Sequence, residues 1–383
     1  MHTPKEFDDI RPFEPEELQE VYNRLLDNQQ FQRVLSYFYP DVPLEKIGAR
    51  MRACTTNLAF QKVFGNEFVT FVLNRAAKSW DMNHSAISPE HNYTFMSNHR
   101  DIVLDSAILS KLLIDADFKT TCEIAIGDNL LSLPWVKDLV RVNKSFIVKR
   151  SASFREMLTS SKTQSRYMHF AIQEKKENIW IAQREGRAKD SDDRTSESIL
   201  KMMSMGGEGS IVERLTQLHI VPMTISYEYD PCDYLKAAEF QLKRDNPDWK
   251  KGPQDDIISM QTGIMGYKGH VHYHCSSCID EYLQTLDSEM PKNELYATIV
   301  RHIDREIHRH YRLFPNNYIA HDLLTGKDEQ TAHYQPADKV NFERYLSEQL
   351  EKITVPQPDI AFLRERILTM YANPLRNYWA ACK

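Results

Sequence analysis

The sequence lacks long apolar runs. No stretch of about eighteen consecutive apolar residues occurs, and a helix needs about that length to cross a bilayer. The segment 1–14 contains Asp8, Asp9 and Glu14 and no apolar run, so we expect no signal peptide. These absences favour a cytoplasmic protein and leave open a peripheral contact with the inner face of a membrane.

The sequence also lacks a disulfide framework and a basic excess. Its 383 residues include only six cysteines, which are scattered apart from one close pair, Cys275 and Cys278, and this is not the pattern of a small disulfide-stabilised domain. Lysine and arginine number 48 against 54 aspartates and glutamates, which gives a net charge of -6. Because no overall positive charge is available to neutralise phosphates, we expect no nucleic-acid partner.

Helical spacing dominates the first part of the chain. Leu18, Val21, Leu25 and Leu26 recur on one helix face, and apolar residues continue this pattern through 60–80. We therefore predict an N-terminal helical segment over 1–90, packed as a cap on a larger domain. A C-terminal helical extension over 331–383 is predicted to pack on the same core.

Between these segments, short apolar runs alternate with helical stretches. Such alternation is typical of an α/β domain, here 91–330, with a central mixed sheet flanked by helices. The predicted strands are 93–97, 122–126, 145–148, 179–182, 220–225 and 270–273.

A polar segment directly after the first predicted strand contains a candidate general base. His99 lies between Asn98 and Arg100 at a strand-to-helix turn, and the carboxyl ends of strands are where α/β proteins bind ligands. An imidazole can remove a proton from a hydroxyl near neutral pH, and a carboxylate at its other nitrogen fixes the tautomer. Asp101 and Asp105 are both within range. The alternative is a surface histidine at a helix terminus.

Two further segments carry cations at strand ends. Glu185, Gly186, Arg187 and Lys189 follow the predicted strand 179–182, where a glycine allows close backbone approach and the cations attract an anionic ligand. Lys149 and Arg150 similarly follow 145–148 and could hold a phosphate. Taken singly, each segment could equally be a solvated charged turn.

The order of these segments resembles the signature blocks of the glycerolipid acyltransferases, the superfamily of glycerol-phosphate and lysophosphatidate acyltransferases. The resemblance covers roughly residues 90–275 and comprises an Asn-His block, an apolar block ending in arginine, a Glu-Gly block with basic residues, and an apolar strand with an internal proline. The matching residues are Asn98 and His99; Phe146, Ile147, Val148 and Arg150; Glu185, Gly186, Arg187 and Lys189; and Ile220, Val221, Pro222 and Met223.

One spacing departs from the family pattern. Four residues usually separate the histidine from its aspartate, whereas that spacing here reaches Leu104 and the aspartate is Asp105. We predict Asp105 as the partner of His99, with Asp101 as the alternative. The extra residue would be taken up in the turn before the helix, and a degenerate, inactive site is the other interpretation.

The resemblance implies an acyltransferase that needs no cofactor. His99 would deprotonate the acceptor hydroxyl, which attacks an acyl thioester of coenzyme A or acyl carrier protein. The acceptor would be a glycerol phosphate or a lysophospholipid, and an amino-acid lipid remains an alternative. The implied substrate-binding residues are Asn98, Arg100, Lys149, Arg150, Glu185, Gly186, Arg187 and Lys189. The sequence has no Gly-x-Ser-x-Gly motif, which disfavours a serine hydrolase.

A histidine and cysteine cluster supports a different hypothesis. Three alternate histidines precede a Cys-x-x-Cys pair, and alternate residues of a strand share one face. The cluster consists of His270, His272, His274, Cys275 and Cys278. It favours either a late strand of the sheet with two reduced cysteines or a metal-stabilised binding protein.

Overall fold

The computed structural model describes residues 2–149, 153–287 and 289–383, and these residues contain seven strands in one sheet. The strands are β1 (Ala77–Asn83), β2 (Thr94–Ser97), β3 (Cys122–Gly127), β4 (Ser145–Val148), β5 (Asn178–Ala182), β6 (Ile220–Tyr227) and β7 (Gly269–Cys275). Their order across the sheet is β1-β7-β6-β2-β5-β3-β4. All six predicted strands are present, and the prediction of an α/β fold with a mixed central sheet is confirmed.

The directions of the strands distinguish the two sides of the sheet at which strands begin or end. Strands β6, β2, β5, β3 and β4 are mutually parallel, whereas β7 is antiparallel to β6 and β1 is parallel to β7. The carboxyl ends of the five parallel strands therefore lie along one edge, here called the carboxyl edge. The opposite edge is called the amino edge.

Seventeen α-helices surround the sheet in the described residues, joined by short 3-10 turns and one π-helical turn at Gln61–Gly65. The helices are α1 (Leu18–Asp27), α2 (Gln29–Phe38), α3 (Leu44–Ala53), α4 (Asn57–Phe60), α5 (Asn66–Ala76), α6 (Leu104–Asp115), α7 (Pro134–Val142), α8 (Phe154–Gln173), α9 (Glu197–Met203), α10 (Ile211–Thr216), α11 (Asp233–Asp245), α12 (Pro253–Met265), α13 (Asp280–Gln284), α14 (Lys292–Arg309), α15 (Pro315–Thr325), α16 (Pro336–Glu351) and α17 (Ile360–Ala381).

Alternate residues of each buried strand supply two separate cores. Ile179 and Ile181 of β5 face a core that also contains residues of α8, α9 and α14. Trp180 points to the other face, into a core shared with α5 and α6. Because successive strand residues point to opposite faces, an apolar strand buries both sides of the sheet, as expected for parallel strands covered by helices.

The prediction of a helix over 60–80 is wrong at the C-terminal end of that range. Helix α5 stops at Ala76, and Ala77–Asn83 forms the edge strand β1, paired with β7. Trp80 and Met82 pack against the core while Lys78 is exposed. Pairing with β7 therefore overrides the helical spacing of the preceding apolar residues, and the sheet extends into the predicted helical segment.

The terminal helices are attached through cores of their own. Helices α1–α3 share a core with α7, and α16 and α17 share one with α11 and α15. Buried Asp233 of α11 accepts hydrogen bonds from the hydroxyls of Tyr345 (2.7 Å) and Tyr371 (2.8 Å), which ties the C-terminal helices to the domain. Among the described helices, none combines the length and apolarity needed to span a bilayer. The domain boundaries at 90 and 330 stay a prediction.

Candidate active site

His99 lies at the carboxyl edge, two residues beyond the end of β2 and before α6. Its ring meets Trp180 of β5 edge to face, with 5.5 Å between the ring centroids. The indole Nε1–H of Trp180 donates to Ser97 Oγ at 3.0 Å, so the neighbouring strand fixes the wall on which the imidazole rests. The imidazole is 13% exposed, enough for one nitrogen to reach a substrate.

The Asp105 carboxylate contacts the imidazole of His99 at Nδ1. Its Oδ2 is 2.7 Å from His99 Nδ1, and the Asp105 side chain is 0% exposed. The same oxygen accepts the backbone N–H groups of Arg100 (2.6 Å) and Asp101 (3.1 Å), and Oδ1 accepts the Tyr227 hydroxyl at 3.2 Å. Each of these contacts has the Asp105 carboxylate as its acceptor. His99 Nδ1–H therefore donates to it, which leaves the lone pair on Nε2.

Asp101 has a different position. Its Oδ1 accepts the backbone N–H groups of Val103 and Leu104, both at 2.8 Å, and so satisfies donors at the start of α6. Burial and the nearby Asp105 charge raise the pKa of Asp101. Residues 100–103 form a turn around the Asp105 carboxylate, and this turn takes up the extra residue that separates His99 from Asp105.

Asn98 and Arg100 form buried polar contacts that fix the His99 loop. The Asn98 side chain accepts the N–H of Ile225 at 2.8 Å and donates to its carbonyl at 2.9 Å, which pins the loop to β6. Arg100 Nη2 donates to Asp193 Oδ2 at 2.7 Å, and the Tyr311 hydroxyl donates to the same oxygen at 2.5 Å. In this arrangement both residues position His99, and their predicted contact with substrate stays a prediction.

Asp193 is a site residue that the sequence did not reveal. It is 1% exposed and accepts from Asn98, Arg100 and Tyr311. The sequence shows three aspartates close together at 190, 192 and 193, and nothing in that run distinguishes the buried one. Only the fold, which brings α14 and the following residues against this loop, selects Asp193.

The Glu-Gly segment lies beside the His99 loop because β5 is the neighbour of β2. The Gln183 N–H donates to the Ser97 carbonyl at 2.7 Å and joins the two strand ends. Gly186 has φ +69 with open space around it, so its backbone conformation is what requires glycine there. Glu185 lines an open cavity of about 510 Å³ at this edge, together with Arg184, Asp190, Asp192, Arg194, Thr195 and Ser196.

The two cations of this segment differ in their partners. Arg187 is 7% exposed, and its Nη1 is buried without a hydrogen-bond partner among the described residues. Lys189 Nζ pairs with Glu239 Oε2 of α11 at 2.7 Å. Burial and the charge of Arg187 lower the pKa of Lys189 to about 8. Arg187 is therefore the cation with a donor left for an anionic ligand.

Lys149 is not brought to His99. Strands β5 and β3 lie between β4 and β2, so the ends of β4 and β2 are roughly 14 Å apart at the usual strand spacing. Lys149 Nζ instead pairs with Asp9 Oδ2 at 3.1 Å. Arg150 lies outside the described residues.

Helix α12 covers the buried side of this site. A methyl group on Gly263 would lie 2.0 Å from Asp101 Oδ2, and the Ser259 carbonyl accepts the Cys232 thiol at 3.3 Å. Lys268, which follows α12, donates to the Gly266 carbonyl at 2.7 Å. Burial lowers the pKa of Lys268 to about 8. Lys268 is a second buried ionisable residue at this edge that sequence patterns did not single out.

The five residues of the histidine and cysteine cluster are not assembled into one site. The three histidines share one face of β7, whereas Cys275 is fully buried on the other. His272 pairs with Asp81, and His274 stacks on His310 with 3.9 Å between ring centroids. Within the described residues, no β7 histidine belongs to a group of three potential ligand atoms within 4.8 Å.

Comparisons with known proteins found one family model and a solved structure to which this chain is similar. Residues 81–226, from within β1 to within β6, match the sequence model of the acyltransferase family. This match confirms the resemblance drawn from the four blocks. No curated protein matches the sequence. Among solved structures, the chain is similar to the 1-acyl-sn-glycerophosphate acyltransferase PlsC from Thermotoga maritima, with 10% identity, a TM-score of 0.38, and coverage of 76% of this chain and 95% of that one.

Proposed function

We propose, because residues 81–226 match the acyltransferase family model, that His99 is the general base of acyl transfer to a lipid hydroxyl. The donor is a fatty acyl thioester of coenzyme A or acyl carrier protein, and the acceptor is a glycerol phosphate or a lysophospholipid. The observation that carries this proposal is the His99 Nδ1–Asp105 Oδ2 contact of 2.7 Å. It leaves Nε2 as the unprotonated nitrogen at a partly exposed position.

The transfer needs no covalent acyl-enzyme. His99 Nε2 takes the proton of the acceptor hydroxyl as its oxygen attacks the thioester carbonyl carbon. The new C–O bond forms, the C–S bond breaks, and the imidazolium returns its proton to the departing thiolate. Asp105 stabilises the imidazolium between these two steps. A site with this intact pair supports an active enzyme over a degenerate one.

Arg187 is the best-placed anchor for the acceptor's anionic head. Its buried Nη1 has no hydrogen-bond partner among the described residues. A guanidinium matches the oxygens of a phosphate and also those of a carboxylate. Glu185 and Lys189 flank it in sequence and would orient the same head group. An amino-acid lipid therefore remains a second acceptor to be tried.

We further propose that α12 lies at the membrane contact of the enzyme. Ile258 and Met265 are seven residues apart on one helix face and are 39% and 48% exposed. Tyr267 and Tyr37 beside them are 51% and 55% exposed, and the Tyr37 hydroxyl lies 3.9 Å from Met265 Sδ. These four residues are called the apolar surface. Gly263 of the same helix approaches Asp101, so the apolar surface and a contact with the active site belong to one helix.

The experiment offers two labelled donors, acyl-coenzyme A and acyl-acyl carrier protein, to the purified protein. The acceptors are glycerol 3-phosphate, a lysophosphatidate, a neutral lysolipid and an amino-acid lipid. We expect an ester product with a phosphate-bearing hydroxyl acceptor and a clear preference over the neutral one. Release of the label to water with every acceptor would instead indicate a hydrolase, and a product formed only on an amine would overturn the hydroxyl assignment.

A further inference from the structure

Three potential metal ligands converge at the amino edge of the sheet. His219 lies directly before β6, and Cys278 and Asp280 follow β7. One ligand atom from each lies within 4.8 Å of the other two. His219 Nδ1 is 2.6 Å from Asp280 Oδ2. The sequence had suggested Cys278 as a ligand together with the β7 histidines, and the fold gives it different partners.

Backbone hydrogen bonds hold these three residues in place. The Thr94 N–H of β2 donates to the His219 carbonyl at 3.1 Å, and the Ile279 N–H donates to the Ile220 carbonyl at 2.9 Å. The segment between Cys278 and Asp280 is thereby attached to the start of β6. The sheet brings the three side chains together. In the sequence, Cys278 lies 59 positions after His219, and Asp280 lies further on.

The donor set has the chemistry of a zinc site. Zinc(II) binds thiolate sulfur, imidazole nitrogen and carboxylate oxygen, and in a tetrahedral site such atoms are about 3.3–3.6 Å apart. Asp280 Oδ1 is buried without a hydrogen-bond partner among the described residues, and the His219 side chain is 41% exposed. We propose that His219, Cys278 and Asp280 bind one zinc(II) ion, with water in the fourth position.

The ion would stabilise the fold and take no part in transfer at His99. Binding releases the thiol proton to solvent and leaves a thiolate ligand. The site lies at the amino end of β6, whereas His99 follows the carboxyl end of the adjacent strand β2. Four residues of β2 separate the two edges by roughly 13 Å. Zinc would therefore tie the segment after β7 to the start of β6.

The test uses cobalt(II) as a spectroscopic probe and zinc(II) as the native ion, both added to the metal-stripped full chain. We expect one equivalent to bind, with a thiolate-to-cobalt charge-transfer band and a higher melting temperature in zinc. Cys278→Ser should abolish the band and weaken zinc binding at least about tenfold. His219→Gln, at a partly exposed position, should weaken binding while leaving the circular dichroism spectrum unchanged.

Cys382→Ser is the matched control, because Cys382 is an exposed thiol far along the chain from this site. It should bind cobalt and zinc like the wild type. Failure of the wild type to bind one equivalent would overturn the proposal. So would a charge-transfer band that survives Cys278→Ser, and so would binding lost in His272→Ala but retained in His219→Gln, which would assign the ion to the β7 histidines.

Discussion

At the scale of single residues, the central pair is built so that its geometry is set before substrate arrives. Asp105 Oδ2 accepts two backbone N–H groups in addition to His99, and Tyr227 holds the other oxygen. Little reorganisation is then needed when the imidazole becomes charged, which is how preorganised groups lower a barrier. The neutral amide of an asparagine could occupy this space without supplying the negative charge.

Asp105→Asn should therefore lower kcat by about 10³-fold or more, because the imidazolium loses its counter-charge and its tautomer is no longer fixed. The measurement is steady-state acyl transfer with the acceptor that the wild type prefers. Asp101→Asn is the control, since its side-chain oxygen still accepts the N–H groups of Val103 and Leu104. It should stay within about tenfold of the wild type, and an equal loss in both variants would contradict the assignment of Asp105.

The choice between Asp101 and Asp105 illustrates where local sequence information ends. Both carboxylates are near His99 in sequence, and a regular helix would place neither of them against it. Which aspartate contacts His99 depends on the turn at 100–103, where the N–H groups of Arg100 and Asp101 donate to Asp105. Asp193 was beyond prediction for a stronger reason, because its partners Asn98 and Tyr311 are each roughly a hundred residues away.

At the scale of elements, α12 is the component on which the shape of the site most directly depends. Gly263 allows this helix to lie against the Asp101 carboxylate, where even a methyl group would meet Asp101 Oδ2 at 2.0 Å. A larger residue must push either the helix or Asp101 away. Because Asp101 belongs to the turn around Asp105, such a shift reaches the proposed catalytic pair, His99 and Asp105.

Gly263→Ala should lower both the thermal stability and kcat, with a loss of about 1–3 kcal/mol in the free energy of unfolding from overpacking. Denaturant melts and acyl-transfer rates measure the two effects. Gly65→Ala is the comparison, since Gly65 has a helical φ of -61 and the nearest atom to an added methyl group is at 3.4 Å. A destabilisation as large at Gly65 would show that the contact with Asp101 is not the cause.

The element that sequence patterns missed is β1. Its apolar residue Trp80 follows an amphipathic helix so closely that helical spacing extends the predicted helix to it. The strand exists because β7 offers a parallel partner 190 residues later, and such a contact leaves no local signal. The six strands that were predicted are short apolar runs buried between helices, where the local pattern and the tertiary environment agree.

At the scale of the whole molecule, strand order explains which signature blocks lie next to each other in the fold. The Asn-His and Glu-Gly blocks follow adjacent strands, β2 and β5, and therefore meet at the carboxyl edge. Lys149 follows β4 at the far side of the sheet and pairs with Asp9. Spacing along the sequence identified the blocks. Only the strand order shows that Arg187 and Lys189 follow a strand next to that of His99, whereas Lys149 does not.

The proposed membrane contact lies at the apolar surface. Met265→Glu should reduce the fraction of protein that sediments with anionic vesicles at low salt severalfold, because it places a charge where apolar contact is expected. Val340→Glu adds the same charge at a 64% exposed position on α16 and should leave sedimentation unchanged. Equal binding by all three proteins, or none by the wild type, would contradict the proposed contact.

In the proposed mechanism, His99 removes the proton of the acceptor hydroxyl. The most direct test is the rate of acyl transfer by the wild type and by His99→Ala with the same donor and acceptor, after circular dichroism has shown that both are folded. We expect a loss of about 10²–10⁴-fold in the variant, the usual contribution of a general base, with substrate binding retained. Transfer by His99→Ala at a rate close to that of the wild type would contradict it.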